Sequence, residues 1–140
     1  MKTILTIILA LFTYISMPNN NKDLDLDLMV KSYPDQLYQV MWNEARGEAT
    51  IGIRMVLDVI RNRINSPKYP STMDSVLQQK YQFCTIQSNP TSHFKSFVDF
   101  LMLKPIQYPY LHFINPNKAK KALWMRRKSW IKYNNHSFAL

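Results

Sequence analysis

The chain has 140 residues, a formal net charge of +9, 46% apolar and 13% aromatic residues, and only 19% charged ones. This length suits one domain with a leader, and the apolar share can bury a real core, which excludes a disordered tail. A lone cysteine, Cys84, excludes an intrachain disulfide and a multi-cysteine zinc site, and reads as a small buried apolar residue.

Met1 to Met17 has the form of a leader. Lys2 supplies the positive start, and Ile4 to Met17 is apolar apart from Thr6, Thr13 and Ser16. Such a stretch is shorter than the roughly 20 residues of a membrane span and suits a signal peptide. No small-residue cleavage site precedes Pro18, so residues 4–17 also suit a weak membrane anchor. Residues 1–22 are read as leader and linker, and 30–140 as the working domain. Removing 1–22 takes away only Lys2 and Lys22 among charged groups, so the basic character belongs to the domain. An exported domain acts in the periplasm or cell envelope.

Tyr33 to Arg46 reads as a helix with Ser32 as N-cap and Pro34 in its first turn. Leu37, Val40, Met41 and Glu44 fall at i, i+3, i+4 and i+7, so Glu44 continues an apolar stripe. Gly47 then ends or bends the helix. Thr50 to Ile64 is a second helix with an inverted pattern. Its polar residues, Arg54, Asp58, Arg61 and Asn62, form a narrow stripe on an apolar cylinder, the mark of a central helix. Asn65-Ser66-Pro67 stops it. A short helix runs from Met73 to Gln79, and Gln82 to Ile86 has an extended character. Phe94 to Met102 is a further helix. Residues 105–117 hold Pro105, Pro109 and Pro116 and read as irregular, and Asn134 to Leu140 reads as extended.

The charge is uneven along the chain. After Asp99 no acid follows, while Lys104, Lys118, Lys120, Lys121, Arg126, Arg127, Lys128 and Lys132 do. That implies an anionic partner: nucleic acid, anionic lipid or anionic cell-wall polymer. The leader argues against nucleic acid, and no P-loop, zinc finger or RNA-binding aromatic signature supports it.

The chain contains two glutamates, Glu44 and Glu48, and two glycines, Gly47 and Gly52, all within nine residues. A carboxylate in line with core residues is costly to bury ionised, so such a position suits a paired group or the edge of a cleft. If the helix ran on through Gly47, Glu44 and Glu48 would stack at i, i+4. If it breaks there, their separation is open. His93, His112 and His136 have no metal-ligand spacing, and no metal or other cofactor is expected. Arg46, Arg61 and Arg63 are read as structural partners of acids or other polar groups.

The order Glu44-Ala45-Arg46-Gly47-Glu48, Gly52, Asn62-Arg63, Ser66-Pro67, Tyr69-Pro70 and Gln82-Phe83 resembles the SleB-type cell wall hydrolases. Leu111-His112-Phe113, Trp124 and Asn135-His136-Ser137-Phe138 resemble that family's later segments more loosely. Ile53 departs from the pattern, which usually has Gln after the matching glycine, as does Cys84 in the segment after Gln82. The resemblance covers about residues 37–138. It implies a mainly α, lysozyme-like domain of the α+β class with a small extended or β element. It also implies a monomer that cuts the glycan strand of peptidoglycan by lytic transglycosylation, with Glu44 as acid and base. Glu48 is then an orienting or second acid, and Gln82, Phe83, His112, Trp124 and His136 contact substrate. Arg46, Gly47, Asn62 and Arg63 support the site, and the basic C-terminal third holds anionic wall polymer. Two other readings stand beside this one: a catalytically weak peptidoglycan-binding protein of the same fold, and a muramidase using Glu44 with Glu48. The small size and sparse glycine lean towards a phage source.

Overall fold

The computed structural model describes residues 33–140 apart from 81, 85 and 118–127. The leader, the linker, the Ser32 cap, Trp124 and the basic run 118–127 all lie outside the described residues. The described residues belong to one compact unit, Tyr33–Leu140. It holds helices α1 (Asp35–Ala45), α2 (Thr50–Asn65), α3 (Met73–Leu77) and α4 (Ser92–Met102), then strands β1 (His112–Ile114), β2 (Ile131–Tyr133) and β3 (His136–Ala139). The class is α+β, as the resemblance implies.

α1 begins one residue later than its proline suggests. Pro34 is the N-cap, and Leu37, Val40 and Met41 are wholly buried along the predicted stripe. α1 is tied to α4 by the Tyr38 hydroxyl, which donates to Asp99 Oδ1 at 2.6 Å. Burial, reinforced by that bond, pushes the phenol up to about 12. α2 is the central helix: Met55, Val56, Leu57, Asp58, Val59 and Ile60 are buried in succession. Ile51, at its start, is exposed. Thr72 and Thr91 cap α3 and α4, accepting the N–H of Ser75 and Phe94. α4 therefore starts at Ser92, two residues before its first apolar anchor.

The polar stripe of α2 does not face solvent. It holds the irregular segment before β1 by its backbone. Asp58 Oδ2 accepts the N–H of Gln107 at 2.9 Å and of Tyr108 at 3.1 Å. Asn62 Nδ2 donates to the carbonyls of Tyr108 at 2.7 Å and Tyr110 at 2.9 Å. Arg54 Nη2 donates to the Pro105 carbonyl at 2.6 Å, and Arg63 Nε to that of Leu111 at 2.8 Å. A proline-rich segment cannot satisfy itself with a ladder, so α2 supplies the partners.

The three strands form an antiparallel sheet in the order β1-β3-β2. Phe113 stands opposite Phe138, and Tyr133 opposite His136. Phe138 is fully buried and anchors the sheet in the helical core. β1 falls in a stretch read as irregular, and Gln82 to Ile86 forms no strand among its described residues. The read of 134–140 as wholly extended also needs correcting. Asn134 takes a left-handed φ of 48°, so Asn134-Asn135 is the two-residue turn of a hairpin. That turn carries His136 back along β2.

Candidate active site

The helix break between α1 and α2 makes one wall of a cleft of about 370 Å³. Asn43 and Glu44 come from the last turn of α1, and Arg46, Gly47 and Glu48 from the break. Asn115 and Asn117 follow β1, Asn135 comes from the β2–β3 turn, and His136 from the start of β3. Both glutamates therefore line one cleft although no continuous helix stacks them. α1 stops at Ala45, and the Glu48 N–H closes the turn on the Ala45 carbonyl at 3.0 Å. Gly47 takes no left-handed φ and has open space where a Cβ would be, so its conformation does not force the break.

Glu44 is half-buried at the edge of the cleft. Its Oε1 accepts the Cys84 N–H at 2.6 Å. Its neighbour Asn43 donates through Nδ2 to the Ile86 carbonyl at 2.8 Å and, more weakly, to that of Cys84 at 3.4 Å. Two adjacent side chains thus clamp one backbone segment against the end of α1. Cys84 enters the site through its main chain, and its side chain is not fully buried.

Glu48 and His136 form the second feature. His136 Nδ1 lies 3.1 Å from Glu48 Oε1, and the side chains are 4% and 3% exposed. Glu48 Oε2 is buried with no hydrogen-bond partner among the described residues. It rests against Gly52 in the first turn of α2, where a Cβ would come within 3.1 Å of it. Unpaired N–H groups at a helix start favour negative charge, which suits a carboxylate placed there. The Phe113 ring meets the His136 ring edge-on at 5.4 Å, with Phe138 at 6.1 Å.

Other predicted site residues are placed elsewhere. Phe83 is in the core, facing Phe113 and the Arg63 guanidinium, and Gln82 is exposed; neither lines the cleft. An aromatic residue next to a polar one reads alike as platform or core. His112 also lies outside the lining, with Nε2 3.3 Å from the Tyr69 hydroxyl. Burial first, and then Lys128, Arg63 and Lys68, pull its imidazole down to about 4. Arg46 pairs with neither glutamate among the described residues; it lies over the Trp42 ring and donates to the Trp42 carbonyl. Arg63 is buried between the Tyr69 and Phe83 rings, and burial lowers its guanidinium from the usual value. Asn43, Asn115, Asn117 and Asn135 were missed as site residues. Asn115 and Asn117 sit in loop sequence where asparagine is common anyway, and Asn43 lies in the last turn of α1. Among the described residues, no group of three or more His, Cys, Asp or Glu is placed to hold a metal ion.

A family model described as Cell Wall Hydrolase matches residues 47–139. The chain belongs to the cell wall hydrolase family. The catalytic domain of the germination-specific lytic transglycosylase SleB from Bacillus anthracis superposes with a TM-score of 0.63 at 25% identity, covering 79% of this chain and 98% of that one. The catalytic domain of the Bacillus cereus SleB protein, at 24% identity and a TM-score of 0.61, shares the fold over 81% of this chain and 96% of that one. Comparison with curated protein sequences gives no match. For this cell wall hydrolase, the matched span contains Glu48 and His136 but begins after Glu44. The case for Glu44 therefore rests on its place in the cleft.

Proposed function

We propose that this family member cleaves the glycan strand of peptidoglycan at the MurNAc–GlcNAc bond, as a lytic transglycosylase with Glu44 as the proton carrier. One observation carries the reading: Glu44 stands at the cleft edge with Oε1 held by the Cys84 N–H, and no described residue engages Oε2. A carboxyl group fixed through one oxygen presents the other to a substrate. Oε2–H donates to the glycosidic oxygen as the bond to C1 breaks. The resulting carboxylate takes the proton of the muramic 6-hydroxyl as that oxygen attacks C1, giving a 1,6-anhydro product. This route needs one carboxylate, whereas retaining and inverting hydrolases use two. Lytic transglycosylase is what the Bacillus anthracis relative is called.

The leader reading of residues 1–17 supports action in the cell envelope as an exported protein. The acid-free stretch after Asp99 supports added attraction to anionic wall polymer.

Zymography on purified peptidoglycan tests the reading. The wild type should clear the gel, and Glu44→Gln should lose about 10²-fold or more of that activity. Clearing that persists in Glu44→Gln removes Glu44 from the chemistry. Mass spectrometry of the released muropeptides should show anhydro ends. Purely hydrolysed ends would instead favour a muramidase using Glu44 and Glu48. Binding without any clearing by the wild type would favour a wall-binding protein of this fold.

A further inference from the structure

We propose that His136 is a second catalytic residue, the general base for the hydroxyl that attacks the anomeric carbon, and that Glu48 is the positioning residue that sets its tautomer. The inference rests on Glu44 being the acid, and it transfers to His136 the second of the two tasks that Glu44 would otherwise perform alone.

The chain brings this pair together across 88 residues. An ionised carboxylate only accepts hydrogen bonds, so a neutral ring bonded to Glu48 Oε1 carries its hydrogen on Nδ1. The lone pair is then on Nε2. No described residue bonds Nε2, and His136 lines the same cleft as Glu44. A buried carboxylate, an oriented imidazole and a free ring nitrogen at a cleft are the parts of a base held in one tautomer. Two further features make sense in this light. Phe113 and Phe138 fix the plane of the ring. Gly52 leaves the room that the Glu48 carboxylate occupies. A wall residue that only contacted sugar would need neither a buried carboxylate behind it nor the bare helix turn beneath that carboxylate.

The step balances. The bond from C1 to the glycosidic oxygen breaks, and its electron pair leaves with that oxygen, which takes the proton of Glu44. The attacking oxygen, from the 6-hydroxyl or from water, bonds to C1, and its proton goes to His136 Nε2. Glu44 ends as carboxylate and His136 as imidazolium beside Glu48. Exchange with solvent moves one proton back and resets both. The charged and titratable groups around His136 are Glu48 from the α1–α2 turn, Glu44 and Arg46 in the shared cleft, and Tyr133 opposite it on β2.

The test compares kcat, KM and pH–rate profiles of the wild type, Glu44→Gln, His136→Gln and Glu48→Gln on soluble peptidoglycan strands. His136→Gln should lower kcat by about 10²- to 10⁴-fold with KM little changed, and should erase one ionisation from the acid limb. Glu48→Gln should lower kcat less and displace that limb, because the ring loses its fixed tautomer. An inactive Glu44→Gln beside a His136→Gln with unaltered kcat and profile overturns this inference alone. An active Glu44→Gln overturns the reading on which it rests. Imidazole ¹⁵N shifts of the full-length wild type decide the matter if His136→Gln does not fold. The neutral ring should carry its proton on Nδ1, and the Nε2 signal should move when a GlcNAc–MurNAc tetrasaccharide is added. A proton on Nε2, or no response to the sugar, sinks the proposal.

Discussion

A Cβ at position 52 would stand 3.0 Å from Glu48 Cβ and 3.1 Å from Glu48 Oε2, so the glycine is read by its neighbour. Gly→Ala within a helix normally gains about 0.5–1 kcal/mol. Here the added methyl presses on a side chain that is already buried and bonded to His136. Overpacking costs about 1–3 kcal/mol, so Gly52→Ala should be net destabilising by on the order of 1 kcal/mol. Urea denaturation measures it, and a variant more stable than wild type would show that Glu48 moves aside freely. Gly47, with open space at its Cβ, should tolerate alanine far better. The sequence announced both glycines by their rarity but could not tell them apart, because a close approach by a residue on the preceding turn leaves no local pattern. It marked Glu44 through its place on an apolar stripe. It marked His136 only through likeness to a family segment, since its partner Glu48 lies 88 residues away in sequence.

At the scale of elements, α2 organises the domain by what its polar stripe binds. Asp58 is wholly buried, accepts two backbone N–H groups and meets Arg61 Nη1 at 3.3 Å and Arg54 Nε at 3.8 Å. Removing it leaves two backbone donors and two guanidinium groups without their acceptor, and breaking a buried pair in this way costs about 3–5 kcal/mol. Asp58→Ala should therefore lose about that much stability in urea titrations, and Arg61→Ala, on the more exposed side, much less. Equal losses would mean that the ion pair, not the backbone segment, matters. The helices were legible because their period of apolar residues is long enough to count. The stripe itself was legible too, but not its use. A narrow polar face on a buried helix looks the same whether it meets water or a neighbouring backbone. β1 was illegible for a different reason: three residues next to a proline-rich stretch cannot establish a period of two. Phe83 was misplaced because one aromatic side chain serves a core and a sugar platform equally.

For the whole molecule, the uneven charge sets how the fold answers acid. His112 stands in the stretch after Asp99 that has no acidic side chain, and burial with Lys128, Arg63 and Lys68 holds its imidazole near 4 rather than 6.5. Above pH 6.5 the ring is neutral in both folded and unfolded chains and adds no pH dependence. As pH falls from 6.5 towards 4 the unfolded chain takes up a proton that the folded chain refuses, so this group's contribution to stability declines across that window. Below about 4 both states are protonated and the decline stops. His112→Gln removes the titration but keeps a polar group near the Tyr69 hydroxyl. Calorimetric melting temperatures of the two proteins at a series of pH values between 7 and 4 provide the measurement. The wild type should lose more than the variant through this window, while carboxylates affect both alike. Parallel curves, or an imidazole NMR midpoint for His112 near the free value, would show that burial and the basic neighbours do not disfavour the charged ring.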